Sequence, residues 1–261
     1  MSGKGIFDVS GKVALVTGGG SGLGRAYCEA MAEFGADVAC NDIVEERAQE
    51  TLKLISKYGR RAIAIKADVS KEDEIRYMVD RAVKELGSLD IVFANAGILG
   101  KPFVKIHEYP VKEWDRVFSI ITRGTFLLMQ TVFPIMMKQR HGSFITTGSF
   151  FGMWPLPAGG VAELCNAYNS AKAGVIMLTK VAAKQYGEYG IRVNCICPGY
   201  HRTNLNTPEE NAEVEKVFLP LTPLKRVGEA EDIKGLAVYL ASDASSFITG
   251  QTFVEDGGHC A

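Results

Sequence analysis

The 261-residue sequence predicts an α/β fold built on a doubly wound parallel sheet with helices on both faces. Three observations carry that expectation. Short apolar runs alternate with longer amphipathic ones along most of the chain. The short runs are apolar enough for strands covered on both sides. The first of them, Val13-Ala14-Leu15-Val16, empties into Thr17-Gly18-Gly19-Gly20-Ser21-Gly22-Leu23-Gly24 and then a helical stretch.

Strands are expected at residues 12–16, 37–41, 62–66, 91–94, 143–147, 192–197 and 252–254. Helices are expected between them at 22–34, 45–58, 71–86, 111–138, 167–189 and 230–241. Right-handed crossovers then wind the sheet in both directions. The segments at 97–110, 150–166 and 198–227 read as irregular, and each follows the C-terminal end of a strand, where open α/β sheets bind ligands. No proline-rich linker, repeat or composition shift divides the chain, so residues 1–261 are expected to form one domain.

Composition excludes little and directs little. Hydrophobic residues make up 47% and charged residues 23%, and the net charge of −1 offers no reason to expect nucleic acid or an anionic membrane. Met1-Ser2-Gly3-Lys4-Gly5 lacks a signal-peptide core, and no apolar run is expected to be long enough to span a bilayer, which points to the cytoplasm. The six cysteines form no CxxC pair or zinc pattern, and the four histidines are scattered, so no metal site is expected. Cys40, Cys195 and Cys197 read as reduced strand residues. Cys165 lies in an irregular segment and can be exposed.

The first strand–turn–helix unit is a phosphate-binding turn. Absent side chains at Gly18, Gly22 and Gly24 let a pyrophosphate approach the main chain around Ser21 and Leu23, and the following helix aims its N–H groups and positive dipole end at the anion. The second strand closes on Asp42, whose carboxylate can accept from adenosine ribose hydroxyls. It would also repel a 2′-phosphate by roughly 4 kcal/mol at about 4 Å and an effective dielectric near 20. Ser21 stands where an arginine would have welcomed that phosphate, so both features point to NAD(H). The third strand ends at Asp68-Val69. Asp68 can accept from the adenine amine, or serve as the cap or turn residue of the next helix. The fourth ends at Asn95-Ala96-Gly97, small enough to leave room for the adenosine ribose. Asn95 can tie the sheet together, though these residue types also serve ordinary turns.

Tyr168 and Lys172 are four residues apart on an expected helix and share one face. Oxidation at an alcohol carbon needs a base for the hydroxyl proton. A tyrosine of pKa about 10 becomes one when an ammonium stabilises its phenolate. Lys172 can also hold the nicotinamide ribose. Ser149, after the fifth strand, can hold the substrate oxygen. Thr146 and Thr147 are expected to pack within the strand instead.

Together these residues resemble the short-chain dehydrogenase/reductase family over nearly the whole chain. The segment 17–24 looks like its TGxxxGxG turn, and Asn95-Ala96-Gly97 like the end of its NNAG motif, with Ala94 in place of the first Asn. Ser149, Tyr168 and Lys172 fall at the family's catalytic serine, tyrosine and lysine. Asn194 and Pro198-Gly199 resemble its N-x-x-x-P-G segment. The resemblance implies that backbone at Pro198-Gly199 and Thr203 contact the nicotinamide amide. It also implies a Rossmann-like seven-stranded sheet and a homotetramer built through the helices at 111–138 and 167–189. Two departures stand out. Ile121 occupies the family's usual catalytic asparagine position and cannot hold the water that links the lysine to solvent, while the neighbouring Thr122 points elsewhere. The interval between Ser149 and Tyr168 is also longer than usual, and its Pro/Gly-rich part at 155–166 is expected to fold over the pocket and shape selectivity.

Phe150, Phe151, Met153, Trp154, Leu156 and Leu164 suggest a bulky, apolar or cyclic alcohol or ketone, unless they pack the loop onto the body. Tyr200, His201 and Arg202 can line the opposite wall. Arg202 can hold an acidic tail or sit solvated, and Phe218-Leu219-Pro220-Leu221 can belong to a lid. The expected activity is NAD(H)-dependent interconversion of a secondary alcohol and its ketone. The alternatives are a 3-oxoacyl thioester reductase, which needs a basic approach surface, and a catalytically silent NAD-binding regulator. Ile121 agrees with the regulator; the intact acid–base set argues against it.

Overall fold

Alternate residues of each strand feed two separate cores, as the period of two requires. The computed structural model describes residues 5–102, 104–154, 166–203 and 208–261. Its main sheet holds β1 (Val13–Thr17), β2 (Asp37–Asp42), β3 (Ala62–Lys66), β4 (Ile91–Ala94), β5 (Gly142–Thr147), β6 (Ile191–Pro198) and β9 (Thr252–Glu255). The spatial order is β3-β2-β1-β4-β5-β6-β9, and every pairing is parallel. Ala14, Val16, Val38, Cys40 and Phe93 point to one face, where α1 (Gly22–Glu33), α2 (Glu45–Ile55) and α8 (Lys234–Ala241) pack. Leu15, Ala39, Ile65, Val92 and Phe144 point to the other, against α3 (Glu72–Leu86), α5 (Gly124–Gln139) and α6 (Asn166–Tyr186). Cys40, Cys195 and Cys197 are buried and reduced, as expected; Cys165 lies outside the described residues.

The doubly wound sheet reverses direction where β4 joins β1 on the side opposite β2. A crevice opens at such a switch point. Thr17 closes its floor: its Oγ1 donates to Phe93 O and accepts from the N–H groups of Asn95 (3.0 Å) and Ala96 (3.2 Å).

Three expectations need correction. The helix at 111–138 is not continuous. It runs as α4 (Val111–Phe118), a π-helical turn (Ser119–Arg123) and α5. The segment at 198–227 is not irregular, because it contains β7 (His201–Arg202) and the helix α7 (Pro208–Leu221), and Gly228–Glu229 forms β8 against β7. Prolines 220 and 223 suggest a loop, but Pro220 falls in the last turn of α7, so its missing N–H and its ring disturb only the end of the helix. Phe218 is a buried residue of this helix. The run Val111–Gln139 does have the length and mean hydropathy of a membrane-crossing segment (1.4), contrary to expectation. Half of its most apolar window is buried, because α4 packs on α6 and α5 on α3.

Asn194 fixes the far end of β6. Its buried side chain donates to Ile248 O (3.0 Å) and accepts from Gln251 N–H (3.1 Å). Asn194→Leu keeps the branching at Cγ and the number of side-chain heavy atoms, and strands both partners. It is expected to lower stability by about 2–4 kcal/mol, read from urea unfolding midpoints.

Candidate active site

The glycine turn is forced by close approach. A Cβ at Gly24 would overlap the Gly18 carbonyl oxygen, so α1 can enter this near to β1 only with hydrogen there. Gly19 N–H donates to Asn41 O at 2.7 Å, which ties the turn to β2. Ser21 occupies the N-cap of α1 but makes no side-chain cap hydrogen bond. Bare peptide followed by a helix N-terminus that its own cap residue leaves unsatisfied fits a dinucleotide pyrophosphate.

Asp42 is buried and held at both oxygens. Oδ2 accepts from Gly20 N–H (3.1 Å) and Oδ1 from Val44 N–H (3.0 Å), so the carboxylate is fixed at the lip of the turn. The Arg25 guanidinium nearby is engaged by Gly20 O and Glu50. Asp68 forms a turn: its Oδ1 accepts from Ser70 N–H and Oγ, and its own N–H donates to Glu74. The cap position of α3 falls to Lys71. Val69 follows and touches the start of α5 at Gly124. Asn95 ties the sheet: its Nδ2 donates to Thr17 O at 3.0 Å. The position a side chain at Gly97 would take lies 3.7 Å from Lys172 Nζ, which brings the end of β4 to α6.

Ser149 follows β5 and is 4% exposed; its Oγ accepts from Phe151 N–H at 3.2 Å. The short 3₁₀ turn Phe150–Gly152 then sits on α6, so near that a Cβ at Gly152 would be 2.8 Å from the Lys172 carbonyl carbon. Lys172 is buried, and its Nζ donates to Thr147 O at 2.5 Å. Nζ lies 5.6 Å from the centre of the Tyr168 ring. Burial disfavours the ammonium and lowers its pKa to about 8. Serine turn, phenol and amine thus meet at the end of β5. Thr146 packs as expected, 2.7 Å from Thr179 Oγ1.

Ile121 lies on the π turn, buried in an apolar cluster with Val117, Ala167, Ala171 and Val175 that also touches Tyr168. Thr122 is turned to α6, where its hydroxyl donates to Ala171 O. Neither side chain offers a polar group to Lys172.

The far wall differs from the sequence reading. Phe151 and Tyr200 belong to an aromatic cluster that seats α7. Phe151 stacks on Phe150 at 4.1 Å, and Tyr200 stacks on Phe218 at 5.2 Å. Trp154 is 43% exposed at the edge of the site; Leu156, Leu164 and the rest of 155–165 lie outside the described residues. Arg202 pairs with Glu215 and Glu229, so neither a free acid-binding group nor a simply solvated one stands there. His201 is buried rather than wall-lining. Gly199 N–H donates to Glu255 O, which fixes Pro198-Gly199 to β9. Thr203 comes across to the cofactor turn, with its Cβ 3.2 Å from where a side chain at Gly22 would begin. The expected site residues therefore converge on one sheet edge. Thr17 and His201 were missed as organisers. A hydroxyl residue ending a strand before glycines is the signal for the first; His201, between Tyr200 and Arg202, carries no local signal of burial.

A family model described as enoyl-(acyl carrier protein) reductase matches residues 18–259. The chain is 37% identical over 250 residues to cis-4-hydroxycyclohexanecarboxylate dehydrogenase of Sinomonas cyclohexanicum, covering 96% of this chain and 97% of that protein. It is 35% identical over 248 residues to cyclohexanol dehydrogenase of Acinetobacter sp. (strain SE19), covering 95% and 94%. The crystal structure of a short-chain type dehydrogenase/reductase from Mycobacterium marinum aligns with TM-score 0.91 at 37% identity, covering 97% of both chains. The chain belongs to the short-chain dehydrogenase/reductase family. It is an oxidoreductase acting on alcohols, from a family that binds a nicotinamide dinucleotide.

The buried amine makes stability depend on pH. Unfolded lysine titrates near 10.4. Between about pH 8 and that value the unfolded chain keeps a proton the folded chain has lost, so the Lys172 contribution to stability rises with pH. In urea unfolding without cofactor at about pH 7.5 and about pH 10, Lys172→Met is expected to lack the part of the rise that wild type shows across this window.

Proposed function

We propose that the protein interconverts a secondary alcohol and its ketone with NAD(H) as the preferred dinucleotide, and that its substrate is bulky and apolar or cyclic. The observation that carries the reading is the meeting of Tyr168, Lys172 and the Ser149 turn at the sheet edge that also holds the glycine turn and the fixed Asp42. Gly18, Ser21, Gly22, Leu23 and Gly24 would hold the pyrophosphate. Asp42 would hold the adenosine ribose, Asp68 and Val69 the adenine, Asn95, Ala96 and Gly97 the adenosine ribose side of the crevice, and Pro198, Gly199 and Thr203 the nicotinamide amide. When bound, the dinucleotide supplies the hydride acceptor or donor. Ser149 orients the substrate oxygen and steadies charge on it. Tyr168 takes the proton from that oxygen in oxidation and returns it in reduction. Lys172 lowers the phenol pKa while charged, and contacts the nicotinamide ribose. Since burial works against that charge, a bound anionic group and the developing phenolate would help keep it.

The preference for NAD(H) rests on Asp42. Its two backbone partners fix the carboxylate at the lip of the glycine turn, where its charge would repel a 2′-phosphate, and Arg25 is already engaged. Two relatives carry names of cyclohexane-ring alcohols, and the exposed Trp154 ring stands at the edge of the site, both of which support a cyclic substrate. An apolar surface formed by Phe118, Phe126, Met177, Leu178 and Val181 on α4, α5 and α6 supports assembly through these helices into a homotetramer.

A panel of secondary and cyclic alcohols, followed by NADH absorbance, tests the activity. Turnover confined to 3-oxoacyl thioesters, or tight NAD binding with no turnover at all, would replace the reading. Tyr168→Phe is expected to lower kcat by about a hundredfold to ten-thousandfold while NADH still binds. Asp42→Asn is expected to raise the ratio of NADP to NAD efficiency by about tenfold or more, measured as kcat/KM for each dinucleotide.

A further inference from the structure

His201 plays no part in the chemistry above, yet its side chain is only 3% exposed. Nδ1 lies 3.1 Å from Gly199 O and Nε2 lies 2.9 Å from Glu255 Oε2. Both ring nitrogens thus face acceptors, and a neutral imidazole has one N–H for two of them. The ring lies against Gly228, where a Cβ would come within 2.5 Å of Cδ2, so the neighbouring strand has been cleared for it. Its position joins both sheets. Pro198 pairs with Glu255 in the main sheet, and His201 pairs with Gly228 in the small one. The same segment carries Pro198, Gly199 and Thr203, and Thr203 reaches the glycine turn at Gly22.

We propose that the His201–Glu255 ion pair is a clasp that positions residues 198–203, so that the charge of this imidazole sets how tightly the site holds its dinucleotide. The proposal rests on the functional reading above. His201 is a positioning residue, since it acts through Gly199 and Thr203.

The charged surroundings favour the closed clasp. Glu255 faces the ring from β9, and Asp232 adds negative charge from the approach to α8. Arg226 lies close by but is committed to Asp232 at 2.6 and 2.8 Å. Asp256 accepts from the N–H groups of Gly258 and Cys260, while His259 packs on Phe150 and Phe218. Tyr27 lies on the far side of Glu255, where burial raises its phenol pKa and keeps it neutral. Glu255, Asp232, Arg226, Asp256 and His259 border a cavity of about 40 Å³ beside the ring. Burial pushes the imidazole pKa down, but the Glu255 carboxylate 2.9 Å from Nε2, with Gly199 O and Asp232, outweighs it and raises the pKa. The clasp is therefore fully present below about pH 6.5, the unfolded value, and is lost as pH rises through the higher folded value. By linkage, dinucleotide binding draws a proton into the protein in that window.

The test is NADH affinity, measured by fluorescence titration of the full chain between about pH 6 and about pH 9. Wild type is expected to weaken by about tenfold across the range, the scale of one charge-assisted hydrogen bond. His201→Gln is expected to bind as wild type does at the alkaline end and to keep only the pH dependence that Lys172 contributes. Calorimetry in buffers of different protonation enthalpy is expected to show proton uptake on binding in wild type. Glu255→Gln is expected to move the midpoint of the profile to lower pH. A His201→Gln profile parallel to that of wild type overturns the clasp and leaves the proposed function standing. Should that variant fail to fold, wild type alone decides, because absence of proton uptake at every pH overturns the clasp. NADH that binds neither protein at any pH overturns both the clasp and the functional reading.

Discussion

The whole site depends on a contact that tolerates no side chain. The first turn of α1 lies against the Gly18 carbonyl with room only for the hydrogen of Gly24. That approach points the helix N-terminus at the crevice where the sheet reverses direction. The rest is built around it. Thr17 and Asn95 lock β1 to β4 beneath the turn, and Gly20 hands a backbone N–H to Asp42 from β2. A methyl group at Gly24 would disturb the geometry of three strands, not merely one loop.

Charge is handled differently at the two ends of the site. Lys172 is buried with its Nζ on the Thr147 carbonyl oxygen, and burial works against its ammonium, which is held at a cost. His201 is almost as enclosed but has a carboxylate partner, and its charge is favoured. One cation is therefore receptive to an incoming anionic neighbour, whereas the other already has its own. Ile121 sharpens the contrast: the surface it presents near Lys172 is apolar, and the water route familiar from the family has no polar anchor in that side chain.

The strands were legible because a strand covered on both faces has to be apolar throughout, and β1, β2 and β4 are buried at every position. The placement of the glycine turn, Asp42, Ser149, Tyr168 and Lys172 was legible because each stands at a strand end or on a helix face that the sequence pattern marks. The helix α7 was not. Val214, Val217 and Phe218 have helical spacing, but Pro220 and Pro223 dominate a local reading, and only the aromatic cluster beneath shows what the helix packs on. Phe151 and Tyr200 read as pocket walls because sequence cannot tell a ring facing a ligand from a ring facing another ring. The extra residue in the turn Ser119–Arg123 was invisible, since apolar periodicity carries across it.

That wide turn changes what one long rod can do. Each residue of a helix advances the azimuth by about 100°, so a single surplus residue re-aims everything downstream by about that angle. Upstream, Val117 addresses the cluster around Tyr168; downstream, Leu128, Val132 and Phe133 address the sheet. The hydroxyl of Thr125 takes up the Ile121 carbonyl at 2.7 Å, so the seam is mended rather than frayed. The rod behaves as two cogs set out of phase on a common shaft, one meshed with α6 and the other with the body of the protein.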